Sequence, residues 1–130
     1  MTGKFLRRGS VLLMLSGIFF LSHQPSIDVI PPLFPLQDKV LHAGEYFLLG
    51  VTLLLNRDLW RWHRPNLAIF VAGTIWGITD EIHQYFVPGR DCSIGDLAAD
   101  MTGIALSIAV WSMVSRRTRI RSYPLDNTGE

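Results

Sequence analysis

The sequence predicts an all-α protein, a four-helix transmembrane bundle with the N- and C-termini cytoplasmic. Three observations carry this expectation. The 130-residue chain is 48% hydrophobic and only 18% charged, with a mean hydropathy of +0.26, which is unusually apolar for a soluble domain of its length. Its apolar residues fall into four runs separated by turn-forming or charged segments. Ten of its twelve basic residues sit in three places: Lys4, Arg7 and Arg8 before the first run, Arg57, Arg61 and Arg64 between the second and third, and Arg116, Arg117, Arg119 and Arg121 after the fourth. Only Lys39 and Arg90 fall elsewhere. Four crossings put all ten on one side of a bilayer, the cytoplasmic side by the positive-inside rule. The helices of a soluble bundle would have no reason to sort their charges in this way.

Residues 1–37 are expected to form a first span and a Pro-rich outer loop, residues 38–115 a three-span core, and residues 116–130 a basic and polar cytoplasmic tail. The first run, Val11 to Leu21 behind a basic start, has the outline of a signal peptide. Ser22-His23-Gln24-Pro25 lacks the small-x-small cleavage pattern, and the uncharged stretch continues from Gly9 to Ile27, so a retained span is expected. Cleavage near His23 would leave three spans and an external N-terminus. Pro25, Pro31, Pro32 and Pro35 then prevent helix and favour extended chain, with Ile30, Leu33 and Phe34 suited to a membrane surface.

Asp38 is expected to cap a second helix running to about Asn56, its acid favoured at the positive end of the dipole. Trp60 and Trp62 suit the cytoplasmic interface within the basic connection that follows. Pro65 is a favoured first-turn residue for a third helix, and Pro88-Gly89 is a turn signal that ends it. Asp96 is expected to cap a fourth helix that continues to about Ser115. Cys92 is the only cysteine, which excludes an intrachain disulfide and a Cys-rich metal site.

The chemistry gathers where the third helix ends. From Asn66 to Thr79 there is no charge, and then Asp80, Glu81, His83 and Gln84 arrive together, with Arg90 just beyond. Ionisable groups inside the end of a span persist only where they meet a partner, a bundle interior or water. Helical spacing puts Asp38, His42 and Glu45 on one face with Tyr46 beside them, and Gly73, Gly77, Asp80 and Gln84 on one stripe of the third helix. Asp96, Asp100, Gly103 and Ser107 form the matching stripe of the fourth. Each helix thus offers small residues at mid-depth and acids toward its outer end. Gly73-x-x-x-Gly77 has the small-xxx-small spacing of close helix packing, and serves either the bundle itself or a homo-oligomer.

Asp38-Lys39-x-x-His42-x-x-Glu45-Tyr46, then Asp80-Glu81-x-x-Gln84-x-x-x-Pro88-Gly89-Arg90, then Asp96-x-x-x-Asp100-x-x-Gly103, together resemble the VanZ-like family of small bacterial multi-pass membrane proteins. The resemblance runs from Asp38 to Ala109. The family takes its name from a protein of a glycopeptide-resistance cluster that confers low-level teicoplanin resistance. What the resemblance implies is a fold and a cell-envelope membrane context, the bacterial cytoplasmic membrane, without a reaction; a role in resistance is not carried over. Where the family commonly has Asn, this chain has Asp100, an acid added to an already acidic cluster.

The expected function is therefore an envelope-associated membrane protein that binds a lipid-linked or peptidoglycan-related head group near the outer leaflet. The residues expected to do so are Asp38, His42, Glu45, Tyr46, Asp80, Glu81, Gln84, Arg90, Asp96 and Asp100. The enzymatic alternative is a membrane hydrolase or transferase with Asp80 or Glu81 as base and His83 or His42 as acid–base partner, although no nucleophile stands out. A non-catalytic scaffold subunit is the third reading. The expected partners are the bilayer and a lipid-linked precursor, with no nucleic acid. No cofactor is expected; two histidines among carboxylates leave a divalent metal open, without His-Glu-x-x-His or another tight ligand spacing to support it.

Overall fold

A computed structural model of the chain describes residues 2–25, 33–60 and 63–121. Four helices account for most of them: α1 (Thr2–Ser22), α2 (Gln37–Leu55), α3 (Pro65–Gln84) and α4 (Ile94–Arg121), with a 3₁₀ turn at Arg57–Leu59. The described residues contain no strand, so the fold is all-α. The expected surface contact of Ile30, the interfacial place of Trp62 and the tail beyond position 121 lie outside the described residues.

Helix starts depart from the sequence reading in one consistent way. Asp38 and Asp96 are first-turn residues rather than caps. Leu36 precedes α2 in a left-handed conformation (φ 63°), and the Gln37 side chain turns back to accept the Leu33 N–H at 2.7 Å. Before α4 the capping oxygen is Ser93 Oγ, which accepts the Asp96 N–H at 3.3 Å. Both aspartates are occupied by Lys39 instead. At the other end α4 continues to Arg121, past the expected stop at Ser115, because arginine is a good helix former and suits the negative end of the dipole. Pro65 starts α3 as expected, and Gly89 supplies the positive φ (77°) of the turn beyond it.

The helices alternate in direction, up and down. At one end Arg7 Nη1 donates to Leu55 O at 2.9 Å, and Asn56 Nδ2 donates to Arg7 O at 2.7 Å, tying the start of α1 to the end of α2. Arg7 also stands 3.8 Å from Asp58 there, and Trp60 packs against the core formed by Ile18, Tyr46, Leu49, Leu53, Leu54, Ile69 and Ile104. At the opposite end Ser22, Lys39, Asp80 and Asp96 meet.

Between these ends α2 and α4 approach backbone to backbone. A Cβ on Gly103 would overlap Ala43 O and stand 2.8 Å from Phe47 N, and one on Gly50 would overlap Ser107 Oγ. Gly73 and Gly77 turn to Ile104 and to Asp100 and Leu97 of the same chain, so the small-residue spacing on α3 is filled within the bundle.

The distribution of polarity is inverted relative to a soluble bundle. Asp80, Glu81, Gln84, Asp96, Asp100 and Ser107 are buried, while Leu67, Val71, Ile75, Ile78 and Ile82 form an exposed stripe down α3. Leu106, Val110, Met113 and Val114 do the same on α4. Apolar surface of this extent has to be covered by something other than water. Two helices, Gly3–Ser22 and Ile94–Arg117, are long and apolar enough to cross a membrane.

Candidate functional site

The polar end of the bundle is assembled from all four helices, each contributing its terminal turns. The first turn of α2 supplies Lys39, whose Nζ lies 2.8 Å from Asp38 Oδ2 and 2.6 Å from Asp96 Oδ1. This cation bridges the two N-terminal turns that sequence spacing assigned to separate stripes. One turn deeper, His42 Nδ1 donates to Asp100 Oδ1 at 3.0 Å, and its Nε2 stands 4.0 Å from Asp96 Oδ1. Asp100 is fully enclosed, with Tyr46 and Gly77 close by.

The last turns of α3 divide their groups between two directions. Asp80 Oδ2 accepts Ser22 Oγ–H at 2.8 Å and Gln84 Nε2–H at 3.0 Å, a buried trio linking α3 to the end of α1. Glu81 points the other way, its Oε2 accepting the Ser93 N–H at 2.7 Å ahead of α4. Its Oε1, like Asp100 Oδ2 and the Tyr46 hydroxyl, is buried without a partner.

Two expected members contact the end of α1. His83 stacks on Phe19 at 4.5 Å between centroids and shares a 3.3 Å contact with His23 through Nε2, so it is an aromatic contact to α1 rather than a companion of Asp80. Arg90 donates through Nε to Gln24 O and through Nη2 to Leu21 O, each at 3.2 Å, and also lines a cleft with Asp38 and Glu45. The carbonyl bonds have a simple cause, because the end of α1 leaves carbonyls without intrahelical donors and the turn at Gly89 delivers a guanidinium to them. Ser22 was missed altogether. A serine closing an apolar run carries no local signal, and its partner lies 58 residues away.

Leu21, Ser22, Asp38, Leu41, His42, Glu45, Gln84 and Arg90 line a cleft of about 110 Å³ between α1, α2 and α3. It brings together Asp38, His42, Glu45, Gln84 and Arg90 of the expected set, while Tyr46, Asp80, Glu81, Asp96 and Asp100 lie outside its lining. One guanidinium faces two carboxylates there, and Ser22 and Gln84 add neutral hydrogen-bonding groups. The His42–Asp100 pair has the geometry of an acid–base couple, yet the hydroxyl on this cleft, Ser22, is bonded to Asp80 and not to a histidine.

The sequence profile of the VanZ/LLP1 family matches residues 9–115. The chain belongs to that family. The match takes in α1, which the motif resemblance had reached only in general character. An uncharacterized protein of Schizosaccharomyces pombe is similar, 29% identical over 119 residues that cover 92% of this chain and 68% of the relative. No solved structure matches the chain. Membership of VanZ/LLP1, with two span-length helices and an exposed apolar girdle, points to a membrane protein.

Proposed function

We propose that the chain is a four-span protein of the cytoplasmic membrane, both termini in the cytoplasm, that binds a lipid-linked head group at the outer end of the bundle. The topology rests on the up-down helix order combined with the three basic segments that the positive-inside rule assigns to one side. Reporter fusions after Arg64 and Thr118 are expected to read cytoplasmic, and one at Asp91 external. An external signal at Arg64 would end the four-span reading.

The head-group reading rests on the cleft lined by Arg90 and Glu45 between α1, α2 and α3, in a bundle with exposed apolar side chains. Arg90 spends two of its donors on carbonyls, and its planar fork keeps others for an anion. Asp38 and Glu45 oppose a purely anionic ligand, so the chemistry suited to the cleft is a phosphate or carboxylate accompanied by an amine or hydroxyls. A similar chain in a yeast, which makes no peptidoglycan, favours the lipid-linked form of the ligand over a peptidoglycan-specific one.

Native mass spectrometry of the full chain released from its own membranes tests this. A bound lipid is expected in the unmodified protein, with occupancy reduced roughly tenfold in Arg90→Gln, the loss of one charge-assisted pair. Glu45→Gln, which bears on no helix terminus, is expected to reduce it as well. Equal lipid retention in both variants at normal membrane abundance would leave the scaffold reading in its place.

A further inference from the structure

We propose that His42, Glu81 and Asp100 form a binding site for a divalent first-row cation, buried between α2, α3 and α4 behind the cleft. Each of the three offers one ligand atom, and these atoms lie within 4.8 Å of one another. Ligands at about 2.0–2.2 Å from a common ion stand roughly 3–4 Å apart, so a small contraction of the three completes a coordination sphere.

The second observation is the state of the oxygens. Glu81 is 3% exposed and Asp100 0%, yet Glu81 Oε1 and Asp100 Oδ2 have no hydrogen-bond partner. An unmet carboxylate oxygen inside a bundle is costly. Both belong to carboxylates grouped with one imidazole, that of His42, whose Nδ1 meets the other Asp100 oxygen at 3.0 Å, and carboxylates with a histidine are the donor set of a cation site.

Charge points the same way. Glu81, Asp96 and Asp100 are all buried, and among the described residues the one lysine or arginine bonded to any of them is Lys39, whose bond goes to Asp96, while His42 pairs with Asp100. A divalent ion would compensate the two that Lys39 does not reach. One imidazole nitrogen with carboxylate oxygens suits Zn²⁺ or Mn²⁺ better than Mg²⁺, which prefers an all-oxygen, largely hydrated shell. The Ser93 N–H already fixes the second oxygen of Glu81, as supporting hydrogen bonds fix metal-bound carboxylates elsewhere. The site shares His42 with the cleft but does not depend on a head group being bound there.

Equilibrium dialysis of the full chain in detergent, using Zn²⁺ or Mn²⁺ alone and counting metal by elemental mass spectrometry, reads the site directly. The background should carry Cys92→Ser and His23→Asn, which remove the exposed thiol and the histidine pair as competing zinc ligands. About one ion per chain is expected. Glu81→Gln and Asp100→Asn are each expected to weaken it by 100-fold or more, since even supporting residues are worth 10–100-fold. Asp58→Asn, in the exposed turn at the opposite end of the bundle, should leave the affinity unchanged. Asp100→Asn is near-isosteric and retains an acceptor for His42, so it reports even if Glu81→Gln folds poorly. Absence of saturable binding by the folded background protein, or binding unaltered by Asp100→Asn, would overturn the proposal.

Discussion

Gly103→Leu is expected to remove most folded protein from the membrane. The α2–α4 contact at this position is backbone against backbone, with Ala43 O and Phe47 N in the space that a side chain would need. Overpacking an ordinary core costs about 1–3 kcal/mol because neighbouring side chains can shift. Here the obstacle is a helix backbone whose hydrogen bonds resist displacement, so the cost should be at or above ~3 kcal/mol, a large part of a typical total stability. Separating the two helices would also stretch the Lys39–Asp96 and His42–Asp100 contacts that join them. Gly44→Leu is the control, one position from Ala43 but with nothing within 4 Å of its added Cβ. Membrane abundance and the thermal unfolding midpoint in detergent should separate the two variants clearly; equal values would mean that α2 and α4 are not in close contact.

Lys39→Met should produce the second large effect. Lys39 holds Asp96 at 2.6 Å, with 29% of the lysine side chain and 11% of the aspartate side chain exposed. Breaking a fully buried pair by deleting one member costs about 3–5 kcal/mol, and an exposed pair is worth almost nothing. The partial exposure of Lys39 places the expected loss at about 1–3 kcal/mol. Adding Asp96→Asn should recover part of it by removing the stranded charge, while a scaffold with no electrostatic coupling would show two independent losses. Thermal unfolding of the two single variants and the double variant completes the cycle. A Lys39→Met protein as stable as the original would show that the bridge contributes nothing.

The helices and their direction were legible in the sequence because the signals are local. Pro65 and Pro88-Gly89 punctuate α3 wherever it sits, and the basic segments report which ends belong together. The stripe on α4 was legible for the same reason, since Asp96, Asp100, Gly103 and Ser107 follow helical periodicity and all four are buried. Partner choice was not legible. Asp38 and Asp96 look like caps in isolation, and only the arrival of Lys39 between them explains why the start of α4 falls to Ser93. Nothing near Arg90 or His83 in the sequence announces their bonds to α1, whose end offers carbonyls to one and an aromatic ring to the other. Those contacts span 60 or more residues, and no periodicity encodes them.

The inverted polarity of the bundle bears on how such a chain enters a bilayer at all. In a four-span arrangement the end carrying Lys39, Asp80, Glu81 and Arg90 is the one that must be delivered across the hydrocarbon, while the arginine-rich end stays behind. Ionisable residues carry an insertion penalty of about 2.5–3.5 kcal/mol each at the centre of a helix, falling toward its ends. Among the described residues, the segments that meet the length and apolarity of independent spans are the first and the last, α1 and α4. The inner pair, α2 and α3, carries Lys39, His42, Glu45, Asp80 and Glu81. Ser22 at the end of α1 and Asp96 and Asp100 at the start of α4 are the groups that meet those residues. In that arrangement the polar groups at the ends of α1 and α4 would be the hydrogen-bonding partners that meet the ionisable residues α2 and α3 carry into the bilayer.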